Sequence, residues 1–174
     1  MSALGAVERR IGSQHYDPEG RVNLGGYAAS LMSYGALVGT ALLAGRRAGR
    51  QLPERSLLPD LLVGGVAAHK LSRLLAKGSV TSPLRSPFTE FEDPAGAAEH
   101  LERARGDSGA RHTVGELLTC PFCLGVWLST AYVGALVVAP RPTRAVASAF
   151  GVAAVSDWLN LGYEMVRKGA LDHD

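Results

Sequence analysis

With 174 residues the chain has the length of one domain, and 20% charged residues with a formal net charge of +2 give no basic field of the kind that grips nucleic acid. No nucleic-acid partner is therefore expected. Two cysteines as close together as Cys120 and Cys123 exclude the dispersed pairs of a secreted disulfide framework. The mean hydropathy of +0.08 is modest because it averages over apolar blocks and charged stretches. Fifteen of the 18 basic residues are Arg, amid heavy Ala and Gly, a bias that reads as a GC-rich bacterial genome and not as function.

Residues 1–23 are polar, carry His15, Asp17 and Glu19, and read as a tail. Leu24 to Gly45 then runs without a charge, and about 20 apolar residues suffice for a helix to cross the hydrocarbon core. "RRAGR", Arg46 to Arg50, ends this first span as a stop-transfer flank and opens a basic loop over 46–56. The block from Leu57 to Val80 is weaker, with an unbroken apolar stretch only over Leu61 to Ala68. Beyond it Lys70, Arg73 and Lys77 share one helix face. They read either as a cationic stripe for lipid phosphate or a nucleotide, or as the snorkelling end of a second span.

Residues 81–118 form the one long polar segment. Pro83 and Pro87 disfavour helix before them. "FTEFEDPAGAAEHLERAR" predicts a short surface helix with Asp93 as N-cap and Pro94 at its first position. Its acids, Glu90, Glu92 and Asp93, read as a divalent-ion cluster or, equally, as a solvated loop with a cap. Thr113 to Glu116, "TVGE", has capping-box spacing. Phe122 to Pro140 is uncharged and long enough to span; "RPTR", Arg141 to Arg144, predicts a tight loop, and Ala145 to Gly162 returns as its antiparallel neighbour. That last block carries one acid, Asp157, which reads as a proton or ion ligand, as a partner for Lys70 or Arg73, or as a hydrated group near the interface beside Trp158 and Asn160. Small residues at Gly35 and Gly39, at Gly125, and at Ala149 and Ala153 are candidates for close helix packing. The expected fold is all-α: a small polytopic transmembrane bundle of three or four spans, with a polar cytoplasmic segment between the middle helices.

Orientation follows from Lys and Arg. With four spans and the N-terminus inside, 12 of the 18 basic residues, among them Arg9, Arg10 and Arg21, are cytoplasmic; with 57–80 lying in the interface, 13 are, and only the N-terminus changes side. Both arrangements leave Cys120 and Cys123 at the cytoplasmic face, with Trp127 and Trp158 near that same level.

The stretch "LLTCPFCLGVWLS" holds both cysteines at the mouth of an apolar helix. Pro121 suits a first helical position, which makes Thr119 or Cys120 the N-cap. The free N–H groups and dipole there favour a thiolate. Four letters, CPFC, resemble the glutaredoxin motif, with Cys120 as attacking and Cys123 as resolving thiol. Those enzymes place it between a strand and an amphipathic helix, whereas here a membrane helix follows. A zinc site would need four ligands, and Cys120 and Cys123 with His100, His112, His15 or an Asp or Glu, or a second CxxC across a dimer, are the donors on offer. The leading reading is structural: cysteine packs as a small apolar residue, and Pro121 and Gly125 shape the helix entry.

Three pieces of the chain resemble a bacterial family of unknown function, DUF1360. They are "HKLSRLLAKGSVTSPLR" (His69 to Arg85), "GELLTCPFCLGVWLS" (Gly115 to Ser129) and the closing "SDWL". The resemblance runs from about Leu61 to Glu164 and omits residues 1–56. It implies an integral protein of the bacterial inner membrane, and it implies no activity, cofactor or catalytic residue. With no catalytic constellation in view, the leading functional expectation is a non-enzymatic adaptor or scaffold. It would be embedded in membrane lipid and bind a protein partner, or another copy of itself, at the cytoplasmic face.

Overall fold

The computed structural model describes residues 16–17, 22–50, 57–96 and 98–171. The tail residues Arg9, Arg10, His15, Glu19 and Arg21, and the loop over 51–56, lie outside them. In chain order the elements are α1 (Leu24–Arg47), α2 (Leu58–Lys77), a 3-10 turn (Ser79–Thr81), α3 (Ser82–Arg85), β1 (Thr89–Pro94), β2 (His100–Ala104), α4 (Ala110–Thr119), α5 (Pro121–Val138) and α6 (Pro140–Leu171). Helices α1 and α5, and α6 over Pro140–Gly169, are long and apolar enough to cross a membrane. The chain is thus a small polytopic helical membrane protein. It divides into two compact units, residues 1–49 with 75–124 and residues 50–74 with 125–174.

In the second unit, parts of α2, α5 and α6 pack through small side chains. Ala67, Ala68, Ala147 and Ala154 are buried. Gly64 admits the ring of Tyr132 so closely that a Cβ there would lie 2.1 Å from its Cε1. The Tyr132 hydroxyl donates to the Asp60 carbonyl at 2.9 Å, and Arg144 grips the Asp60 carboxylate with Nε and Nη2 at 2.9 and 2.8 Å. Lys70 pairs with Asp157. Contacts at 60–144 and 70–157 set α2 running parallel to α6 in near-constant register. Two charges of α2, Asp60 and Lys70, are therefore matched by opposite charges on α6.

In the first unit, α1 begins at Asn23, whose Oδ1 accepts the Gly26 N–H at 3.0 Å as an N-cap. The amide nitrogen of Asn23 donates to Glu116 Oε2 at 2.7 Å and to Thr113 Oγ1 at 3.0 Å, and the Tyr27 hydroxyl donates to Glu116 Oε1 at 3.0 Å. The start of α1 is thereby clasped to α4.

Three local expectations are corrected. The surface helix expected over 88–105 is a β-hairpin, with Thr89 opposite Ala104 and Pro94 opposite His100, and a bulge between Phe91 and Asp93. The Asp-Pro capping signal is real but local. It loses to an alternating Phe/Thr/acid strand, a turn with positive φ at Gly96 and Ala98, and a buried partner for Glu102. Thr113 and Glu116 form no capping box, because α4 already starts at Ala110 behind Gly109 at φ +89°. Their side chains serve α1 instead. The "RPTR" stretch is the first turn of α6, not a loop. Prolines 140 and 142 sit where helical N–H groups have no partner, so they begin a helix rather than end one.

Gly115 lets α4 lie directly on the hairpin: a Cβ there would come within 2.5 Å of the Phe88 carbonyl oxygen and 2.9 Å of Ala104 Cβ. Gly115→Ala should destabilise the protein by about 1–3 kcal/mol, the usual range for overpacking. Gly125→Ala, where a Cβ meets nothing within 4 Å, should be near neutral in the same thermal-unfolding comparison in detergent.

Candidate functional site

The polar segment is organised around one side chain, Arg85. Helix α2 ends at Lys77, Gly78 turns the chain, and the 3-10 turn passes into α3 with Pro83 in its first turn. Arg85 then points back into the fold and is 1% exposed. Its Nη1 donates to the Leu75 carbonyl and to Thr81 Oγ1, both at 2.7 Å, and Nη2 reaches the Gly78 carbonyl at 3.1 Å. These bonds satisfy carbonyls that the end of α2 leaves open. Nε and Nη2 close on the two oxygens of Glu102 at 3.0 and 2.6 Å.

Glu102, also buried, accepts hydroxyl hydrogen bonds from Ser82 and Thr89, each at 2.7 Å. Burial alone would raise its pKa. Hydrogen bonds from Arg85, Ser82 and Thr89, with the Arg85 charge, outweigh that and bring it from 4.5 to about 2. His100 Nδ1 lies 3.1 Å from Ser82 Oγ. This Ser/His/Glu trio lacks the order of a nucleophilic triad: the carboxylate bonds the serine and is neutralised by Arg85, so no base orients the imidazole against the hydroxyl. Outward, the hairpin carries the Arg103–Glu90 pair at 2.6 Å, with Glu92 at 3.8 Å from Arg103, and exposes Phe91 and Leu101. The acidic run is thus one side of a cross-strand ladder.

Cys120 closes α4 in an extended conformation and caps α5: its Sγ accepts the Cys123 N–H at 3.2 Å. Both thiols are free, Cys120 half-buried and Cys123 exposed. His112 turns its Nε2 toward Glu116 Oε1 at 3.7 Å. Among the described residues no three His, Cys, Asp or Glu side chains gather as a metal would need, so Cys120, Cys123 and His112 are not assembled into one group. Of the basic stripe, Lys70 is engaged with Asp157, Arg73 is exposed, and Lys77 stands in the last turn of α2. Among the described residues a Cβ at Gly35, Gly39 or Gly125 would meet nothing within 4 Å, Ala149 is exposed and Ala153 half-buried. The close approaches fall at Gly26, Gly64 and Gly115 instead.

The family described as "Protein of unknown function (DUF1360)" matches residues 63–163, more than half of the chain. The chain belongs to the DUF1360 family. Over 105 residues it is 32% identical to the sporulation protein YjcA of Bacillus subtilis (strain 168), covering 54% of this chain and 88% of that protein. No solved structure matches it. The DUF1360 region holds the Arg85–Glu102 pair and both cysteines, whereas α1 precedes it. Arg85 and Glu102 were legible only in part: "TSPLR" stood out as a motif, but nothing local ties it to a glutamate 17 residues on.

Glu102→Gln leaves a buried guanidinium without its counter-charge and should cost about 3–5 kcal/mol. The pH dependence has a definite sign. With its folded pKa held below the unfolded value, Glu102 stabilises the fold fully above about pH 4.5, and that stability is lost as pH falls toward about 2. Acid titration of the wild type should show this loss, and Glu102→Gln should flatten it.

Proposed function

We propose that this DUF1360 protein is a four-span membrane scaffold that holds a folded polar platform, residues 78–119, at the cytoplasmic face for a protein partner. The observation that carries the reading is the clasp at Glu116. It ties the first turn of α1 to α4, and α4 passes through Cys120 directly into α5. Spans α1 and α5 then start at the same membrane face. Helix α1 takes the chain to the opposite face, and a second crossing must bring it back before α4. Among the described residues the one long helix between them is α2. Its 20 residues, at about 1.5 Å each, match the hydrocarbon thickness. The pairing of Asp60 with Arg144 and of Lys70 with Asp157 supports this, since unpaired charges resist insertion.

Helix α6 crosses once more, so the start of α1 and the end of α6 share the platform's side. That side carries 12 of the 18 basic residues, which favours the cytoplasm and puts both cysteines there. The name of the Bacillus relative extends the proposal to a scaffold working at a membrane during sporulation.

Two experiments test the two halves of this reading. In a Cys120→Ser, Cys123→Ser background, an impermeant maleimide applied to spheroplasts should label Leu57→Cys and spare Asp107→Cys until the membrane is opened. Labelling of both from one side would mean that α2 does not cross. For the partner, a photo-cross-linking residue placed at Leu101 or Phe91 in cells should yield a protein adduct of fixed mass. Adducts with lipid alone, or none, would reject the adaptor role.

A further inference from the structure

The 3-10 turn and α3 differ from the rest of the platform in what they show to the outside. Every polar side chain from Ser79 to Ser86 is turned inward or onto the backbone. Ser79 Oγ donates to the Ala98 carbonyl at 3.2 Å, Thr81 Oγ1 to the Gly78 carbonyl at 2.9 Å, and Ser86 Oγ to the Pro83 carbonyl at 3.2 Å. Ser82 and Arg85 are consumed by Glu102. From Val80 to Leu84 what is left facing out is apolar: Val80 is 78% exposed, Leu84 67%, and Pro83 beside them is exposed. The stretch from Gly78 to Phe88 contains no acidic residue.

Depth follows from Arg85. Its guanidinium bonds the carbonyls of Leu75 and Gly78, so α3 is folded back beside the last turn of α2 instead of projecting beyond it. Lys77 stands in that same turn. A lysine at the end of an apolar helix reaches for head groups, so the neighbouring Val80 and Leu84 lie at the boundary between head groups and acyl chains. Backbone enters that zone without penalty only where its polar groups are satisfied from within, and the Arg85 network does this here.

We infer that the Ser79–Arg85 turn is a membrane-interface wedge whose Val80, Pro83 and Leu84 insert between lipids of the leaflet where α2 ends. Its ligand is the bilayer: acyl-chain tops for the three apolar side chains, and lipid phosphate for Lys77 at the rim. The wedge fixes the platform against the membrane surface and so limits which of its faces a soluble partner reaches. It rests on the four-span reading, in which α2 delivers the turn to the interface.

The test uses the full chain with Cys120→Ser and Cys123→Ser, carrying an environment-sensitive fluorophore on Val80→Cys or Leu84→Cys, in vesicles of phosphatidylethanolamine and phosphatidylglycerol. Asp107→Cys serves as the aqueous control and Val133→Cys, exposed on α5, as the hydrocarbon control. Labels at 80 and 84 should show blue-shifted emission, quench more strongly with shallow than with deep nitroxide lipids, and resist iodide. Quenching by iodide as at 107 would overturn the wedge, and so would quenching by neither agent, which would mean that protein covers the turn. Val80→Ser with Leu84→Ser, which leaves the Arg85 network intact, should release the turn from the bilayer and raise iodide access to a label on Ser86→Cys, the exposed position beside it. An unchanged value there would also count against the wedge. Failure of the four-span reading is seen separately, as labelling of positions 57 and 107 from the same side.

Discussion

The platform depends on the bond between Arg85 and Glu102. A guanidinium 1% exposed is tolerable only if every N–H is met, and the five donors here are met by one carboxylate, two carbonyls and two hydroxyls. That requirement fixes where α2 stops, forces the chain into the tight turn of "TSPLR", and brings β2 under it. Helix α4 can then lie on the hairpin at Gly115, and α4 in turn presents Glu116 to α1 and Cys120 to α5. Removal of the carboxylate would therefore be felt at the starts of two spanning helices as well as at the pair itself.

What could be read from the sequence follows the range of the forces involved. The spanning helices were legible because solvation by lipid acts on every residue of a run, so composition alone is enough over Leu24–Arg47 and Pro121–Val138. Cys120 as an N-cap was legible because capping is local. The hairpin was not: Asp93-Pro94 is a valid local start signal, and what defeats it is a glutamate that must meet an arginine 17 positions earlier. The same distance hid Arg85, which in sequence is one more basic residue. Asp157 was a better case, because a charge in an apolar helix demands a partner and Lys70 was one of only two on offer.

The small residues show where this reasoning stops. Gly35 and Gly39 have the spacing that lets helices approach, yet a Cβ at either meets nothing within 4 Å among the described residues. The contacts occur at Gly64, where an aromatic ring must fit, and at Gly115, where backbone meets backbone. Spacing identifies a face that could pack closely; only a large group opposite makes the glycine necessary. The steric match at Gly64 and the Asp60–Arg144 and Lys70–Asp157 pairs supply the specificity of the contacts among α2, α5 and α6.

The cysteine motif can be judged in the same terms. A helix leaves four N–H groups without partners at its start, and in an apolar setting each is costly. At α5 the Cys120 N–H bonds to Leu117, Pro121 has none to leave, and the Cys123 N–H goes to the Cys120 thiol. Three of the four are thus dealt with between Leu117 and Cys123 before water or head groups are needed. This account explains Cys120 and Pro121 without any redox or metal chemistry. It does not explain the second thiol, because the Cys123 side chain is exposed and the cap uses only its backbone. The Cys123 thiol therefore stands outside the cap, on the exposed side of the first turn of α5, and the needs of the helix start do not account for it.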